Sequence, residues 1–192
     1  MTIFIAGVML SHDNFTWDAY NITVVWDHIQ MGNEVLVTYL PLSHVAAQIF
    51  DVYFAMTVAA TVYFADRDAM RGTLVQTLLA ARPTQFLAVP RVYEKFQEKL
   101  SHIASQSGTV KRMISNWARN VILDNNLTRM AGRSHTSFQY KLAIKLYGSK
   151  VKQALGFDRT KTFLTGAAPM NVSTKKFFLG LDIQVIEGKE KL

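Results

Sequence analysis

Four short stretches hold side chains whose type and spacing could do chemistry: PLSH (41–44), AVPRVYEK (88–95), TGAAPM (165–170) and IEGKE (186–190). Gly166, Ala167 and Ala168 are small enough for a flat ring such as a purine to lie on the backbone, with main-chain groups at its rim. Pro169 would end a strand there, and Asn171 would cap a following helix. The same residues also suit an ordinary strand-to-helix turn. His44 could donate to an anion or a carboxylate, or serve as a packed core histidine or a capping group. Arg91 could meet an anion or pair with Glu94. His12, His28, His102 and His135 have no partners at metal-ligand spacing, so no metal cage is expected. There is no G-x-S-x-G elbow. The absence of cysteine excludes thiolate chemistry and a disulfide framework, and fits a reducing compartment.

The elements that must position these residues alternate along the chain. HDNFTWDAYNITVVWDHIQ reads as a helix capped by Ser11 or Asp13. EVLVTYLPL, ATVYFA, TQFLAVP, TKTFLTG and DIQVIEG read as strands, each a mostly apolar run closed by a turn signal. SHVAAQIFDVYFAMTVA, capped at Ser43, and ADRDAMRGTLVQTLLAARP read as helices between them. Val45–Ala65 is long enough to span a bilayer, but Asp51 within it argues for a buried helix followed by a buried strand. Val92, Phe96, Leu100 and Ile103 form one helical stripe; Val110, Ile114, Trp117 and Val121 form another. DNNLTRMAGRSHTS reads as a polar loop, and KLAIKLYGSKVKQALGF as a helix ended near Gly156. NVSTKKFFLGL is a last helix. Trp17, Trp26, Phe50 and Phe54 are expected in the core. Unbroken apolar strands separated by helices imply a mostly parallel α/β sheet with helices on both faces. Ligands of such sheets bind beyond the strands' carboxyl ends, where the four stretches lie.

The net charge of +7 is unevenly placed. Residues 1–90 hold 3 basic and 7 acidic side chains, residues 91–161 hold 14 and 4, and residues 162–192 hold 4 and 3. The basic excess therefore sits in the middle. Lysines 95, 99, 111, 145, 150 and 152 are expected on solvated helix faces, and such a band suits phosphates or an anionic membrane. No aromatic-interleaved basic motif supports nucleic-acid binding.

Taken together, GVMLSHDN, YLPLSHVAAQIFD, AVPRVYEKFQEKL, VKQALGF, TGAAPMN and FFLGLDIQVIEG resemble, in order, the central part of the adenylate-forming enzymes. More narrowly, they resemble long-chain fatty-acid–CoA ligases of the bubblegum type. The resemblance runs from about Gly7 to Gly188. It implies part of the N-terminal large domain, an AMP-binding domain over 1–192, with a basic helical insertion at about 91–156 and without the smaller C-terminal domain. It implies a long-chain fatty acid, ATP and coenzyme A as substrates, with Mg2+. Gly166, Ala167, Ala168, Pro169, Glu187 and Gly188 would bind the nucleotide. His44 would sit near the carboxylate and the α-phosphate, as the candidate catalytic residue, while Gln48 and Val52 would border the acyl chain. A cytoplasmic location is implied, with the endoplasmic reticulum surface and a peripheral membrane contact as one option.

The chain departs from the family's pattern at both ends. Ile5 and Ala6 stand where a Gly/Ser/Thr-rich phosphate loop would close in Pro-Lys, and Ile and Phe supply neither its shape nor its hydroxyls. Lys189 follows IEG where a tyrosine is expected, and Leu192 comes before the magnesium-binding glutamate would be reached. The chain thus reads as a central fragment, expected to be inactive alone in acyl-adenylate formation. The alternatives are a non-catalytic nucleotide- or acyl-binding module and a membrane-surface interaction protein.

Overall fold

A computed structural model describes residues 9–133, 137–166 and 168–188. Helix α1 (His12–Val25) starts in a reciprocal cap. The Ser11 hydroxyl accepts from the Asn14 N–H, and the Asn14 side chain accepts from the Ser11 N–H at 2.9 Å. Two of the helix's orphan donors are satisfied in this way. Strand β1 (Val35–Thr38) follows, then one helical segment: α2 (Val45–Ala47), a π-helical stretch (Gln48–Phe54) and α3 (Ala55–Thr57). Next come β2 (Thr61–Phe64), α4 (Leu74–Ala81), β3 (Gln85–Ala88), α5 (Pro90–Ser105) and α6 (Thr109–Met130). The remainder is α7 (Phe138–Ala143), a second π stretch (Ile144–Gly148), α8 (Ser149–Leu155), β4 (Thr162–Thr165), α9 (Val172–Leu179) and β5 (Val185–Glu187).

All strand pairs are parallel: β1 with β2, β3 with β4, and β4 with β5. β1 and β3 run side by side. The Thr84 N–H donates to the Val35 carbonyl at 2.9 Å, and the Tyr39 hydroxyl to the Leu87 carbonyl at 3.0 Å. The ladders form two sheets, β1-β2 and β3-β4-β5, set side by side at β1 and β3 in the order β2-β1-β3-β4-β5, with β1, β3 and β4 inside as their unbroken apolar runs predict. Period-two alternation divides the strands between two cores. Phe86 and Phe163 face α4, α5, α8 and α9 through Leu78, Tyr93, Phe157 and Phe178. Leu36, Leu87 and Leu164 face α1 and the π stretch through Ala19, Phe50 and Phe54. Helices thus cover both faces. Each fully buried Phe or Leu contributes about 2 kcal/mol.

The amino-terminal ends of the strands are knitted by polar side chains. Glu34, 1 % exposed, accepts from the Gln30 N–H at 2.9 Å, the Gln85 amide at 3.1 Å and the Thr84 hydroxyl. His28 Nε2 meets the Thr162 hydroxyl at 2.7 Å, and Arg82 pairs with Asp158. Gly156 ends α8 at φ +77°, and a Cβ there would lie 2.3 Å from the Leu78 carbonyl oxygen. Only glycine fits that approach.

Several expectations fail for identifiable reasons. β2 is not buried: it is an edge strand, with Tyr63 and Phe64 40 % and 75 % exposed. DNNLTRM is not loop but the end of α6, because Asn126 turns inward and donates to the Leu179 carbonyl at 3.0 Å. The buried side of α6 is Ala118, Ile122, Asn125 and Asn126 rather than the stripe from Val110 to Val121. Ser134–Thr136 of the expected loop lie outside the described residues. Trp17 is 66 % exposed, since Ala19, about 200° around α1, takes the inward position. Trp26, Phe50 and Phe54 do pack into the second core. Lys95, Lys99, Lys111, Lys145 and Lys150 are exposed, while Lys152 pairs with Asp182 at 2.8 Å. No helix of the described residues is long and apolar enough to cross a membrane.

Candidate functional site

The strands' carboxyl ends differ from their knitted starts. β4 ends at Thr165, 1 % exposed, whose buried hydroxyl oxygen has no hydrogen-bond partner among the described residues. An unpaired buried hydroxyl costs about 1–3 kcal/mol unless something satisfies it. Gly166 follows, and a Cβ there would meet nothing within 4 Å. Ala168 and Pro169 are exposed, and Ala167 lies outside the described residues. Both sides of this turn are anchored. The Gly188 N–H donates to the Thr165 carbonyl at 2.8 Å, extending the β4–β5 ladder by one residue. Glu187 accepts from the Met170 N–H at 2.8 Å and pairs with Lys175 at 2.7 Å. Asn171 caps α9 by accepting from the Ser173 N–H at 2.9 Å. Thr165 and Met170 are thus held on either side, with open space at Gly166, as a flat ligand lying on the backbone requires. Five of the residues named from sequence, Gly166, Ala168, Pro169, Glu187 and Gly188, meet here.

His44 stands at the other strand exit of interest, beyond β1, with β3 between it and β4. It, not Ser43, is the N-cap of α2: Nδ1 accepts from the Ala46 N–H at 3.2 Å. A neutral ring whose Nδ1 accepts carries its proton on Nε2 and can donate from there. Gln48 donates to the Leu42 carbonyl at 2.9 Å, which ties the helical segment to the PLSH loop, and Val52 is half-buried. Arg91 pairs with Glu94 at 3.5 Å.

Sequence reasoning missed Asp51 as a site residue. It sits in the π stretch beside Thr38 and Tyr39, at the carboxyl end of β1. Burial pushes its carboxyl up to about 6, against a hydrogen bond from the Thr38 hydroxyl. Burial, with the nearby Asp51 charge, also raises Tyr39 well above the ordinary phenol range, so Tyr39 stays a donor to Leu87. The signal was available: an acid inside an apolar run. A π segment, common at functional sites, has no such signature. Among the described residues no three His, Asp or Glu side chains gather closely enough to hold a metal ion.

Comparison with known proteins places the chain in a family. The chain is 46% identical over 183 residues to the long-chain-fatty-acid–CoA ligase ACSBG2 of Xenopus laevis, covering 94% of this chain and 25% of the relative. It is 45% identical over 183 residues to ACSBG2 of Gallus gallus, covering 94% and 24%. The long-chain-fatty-acid–CoA ligase heimdall of Drosophila melanogaster is 42% identical over 197 residues, covering 97% and 29%. The chain thus spans about a quarter of the length of these relatives. Its fold is similar to the A-PCP didomain of a carboxylic acid reductase from Segniliparus rugosus in complex with AMP. That match has a TM-score of 0.52 at 21% identity, over 91% of this chain and 21% of that one. The reductase's A domain, in complex with AMP and a co-purified carboxylic acid, gives a TM-score of 0.50 at 19% identity, over 90% and 24%. A family model described as AMP-binding enzyme matches residues 6–188, which takes in the glycine turn, the Glu187 anchor and His44, and the chain belongs to that family.

Proposed function

We propose that this chain forms part of the nucleotide-binding domain of an ATP-dependent long-chain fatty-acid–CoA ligase. The observation that carries this reading is its 42–46% identity, over 94–97% of its length, to relatives bearing that name. In the proposed reaction a carboxylate oxygen attacks the α-phosphorus of ATP and pyrophosphate leaves. The thiol of coenzyme A then attacks the acyl carbonyl and AMP leaves.

The chain's own residues have positioning roles in this chemistry. The adenine lies on Gly166–Pro169, a surface the open space at Gly166 and the anchored turn both suit. The buried Thr165 hydroxyl is a polar group still in need of a partner at that turn. His44, protonated on Nε2, donates to the substrate carboxylate or an α-phosphate oxygen, which stabilises developing negative charge. Gln48 and Val52 border the acyl chain. Magnesium is part of the family's chemistry, but the described residues offer it no cluster. We place the working protein in the cytoplasm, in peripheral contact with the endoplasmic reticulum membrane from which fatty acids come.

A second reading, nucleotide binding without chemistry, is motivated by Ile5 and Ala6, which by the resemblance stand where a phosphate-binding Pro-Lys is expected. Two experiments separate the readings. In a chimera, residues 7–188 replace the matching segment of the Xenopus laevis relative. It should catalyse palmitate-dependent ATP–pyrophosphate exchange and palmitoyl-CoA formation, and His44→Ala should reduce exchange about a hundredfold. A folded chimera without exchange would overturn the ligase reading. The 192-residue chain alone should bind AMP weakly in calorimetry and give no exchange above a boiled control.

A further inference from the structure

We propose that the tip formed by the end of α5 and the start of α6 inserts into the surface of an anionic lipid bilayer. This rests on the peripheral membrane contact proposed above and is independent of the ligase reading. From Gln106 to Ile114 every residue but Ser107 is exposed, so the tip stands clear of the rest of the fold. Its first turns nevertheless carry a regular apolar stripe. Val110, Met113, Ile114 and Trp117 fall at i, i+3, i+4 and i+7, and are 71 %, 67 %, 46 % and 39 % exposed. Ile103, at the end of α5, is 52 % exposed. The buried positions of α6 begin only at Ala118. Ile114 stands four residues before Ala118 and Trp117 four before Val121, so the stripe prolongs the packed side of α6 past the point where the described fold covers it.

Charge selects the occupant. Lys99, Lys111 and Arg112 are exposed around the stripe, and residues 99–123 contain no Asp or Glu. Apolar residues with a tryptophan, flanked by basic side chains, suit the boundary between headgroups and acyl chains. The molecule provides its own contrast in α1. There Trp17, Tyr20 and Val24 are also well exposed, at 66 %, 61 % and 61 %. They lie among Asp13, Asp18 and Asp27, and the first basic residue of the chain is Arg67. An anionic surface would repel α1 and attract the α5–α6 tip. Each basic side chain near such a surface strengthens partitioning about fivefold, so three give about a hundredfold preference over a neutral bilayer.

The test is flotation of the 192-residue chain with phosphatidylcholine vesicles, with and without phosphatidylserine, at low and high salt. The chain should float with phosphatidylserine at low salt and be released by salt. Its tryptophan emission should shift to the blue, and Trp117→Phe should remove most of that shift. Val110→Asp with Ile114→Asp, and separately Lys111→Glu with Arg112→Glu, should each weaken flotation at least about tenfold. All four sites are exposed, so circular dichroism should be unchanged. If the parent chain does not float with phosphatidylserine at low salt, the membrane contact and this surface both fall. If it floats and neither pair of changes matters, the contact stands and this surface is wrong. A dimer in solution that the aspartate pair converts to monomer would make the stripe a self-interface and overturn the proposal.

Discussion

The two edges of the sheet are built on opposite rules. At the amino-terminal edge, polar groups find partners across distant parts of the chain: Glu34 with Thr84 and Gln85, His28 with Thr162, Arg82 with Asp158. At the carboxyl-terminal edge the Thr165 hydroxyl has no partner among the described residues, the space at Gly166 is open, and the Asp51 carboxyl is pushed up to about 6. Gln85 Oε1 is buried and unpaired among the described residues at the first edge too, so the contrast lies in the cross-chain ties of that edge against the open space and raised carboxyl of the other. Stability and binding can therefore be perturbed separately, which four substitutions test.

The largest effect should come at the tied end. Gly156→Val would place a Cβ against the backbone of α4 at a positive φ, and should destabilise the chain by about 4 kcal/mol in urea unfolding. A loss under about 1 kcal/mol would mean α4 and α8 can part cheaply. Glu34→Ala should cost about 3 kcal/mol, because it leaves the Thr84 hydroxyl, the Gln85 amide and the Gln30 N–H without their acceptor. Burial works to raise the Glu34 carboxyl, but the hydrogen bonds from Thr84, Gln30 and Gln85, with the Lys161 charge, outweigh it and hold it below its ordinary value. Its contribution is thus present above the unfolded carboxylate pKa and lost as pH falls through the lower folded one. A pH series on the parent chain and Glu34→Gln should converge at the acid end.

Asp51→Asn should have the opposite sign. Its folded pKa of about 6 lies above the unfolded one, so the ionised form is disfavoured in the fold and stability falls as pH rises between the two. The substitution should gain about 2 kcal/mol at pH 8 and nothing below about pH 4. A gain that ignores pH would refute the burial argument. Gly166→Val should change stability least, by less than about 0.5 kcal/mol, since its Cβ has room. It should nevertheless abolish the calorimetric signal of AMP; unchanged AMP affinity would move the adenine away from this turn.

The contrast between the edges also explains what was legible in the sequence. TGAAPM and IEG announce a turn by residue type, and the unbroken apolar runs of β1, β3 and β4 announce a parallel sheet. Two partners of Glu34, Thr84 and Gln85, lie about fifty residues away, and Glu187 reaches Met170 and Lys175 only because β5 returns beside β4. No local pattern encodes such meetings. TVYF looks buried by composition, yet being at an edge is a property of the sheet and not of the strand. DNNLTRM looks like loop because asparagine is a poor helix former, until Asn126 finds the Leu179 carbonyl. His44 was visible as a candidate, but which nitrogen is free depends on its cap with Ala46.

The π-helical stretch Gln48–Phe54 makes chain length there as consequential as side-chain identity. Its i→i+5 bonding accommodates one residue more than α-helical winding would. Removing a single residue from it would let the segment relax to α geometry with its two flanks still in register. Phe54, buried at 0 % exposure, and His44, fixed by its cap, could then both keep their places. The extra residue therefore governs where the side chains inside the stretch, Asp51 among them, are aimed, and not how the helix is anchored at its ends.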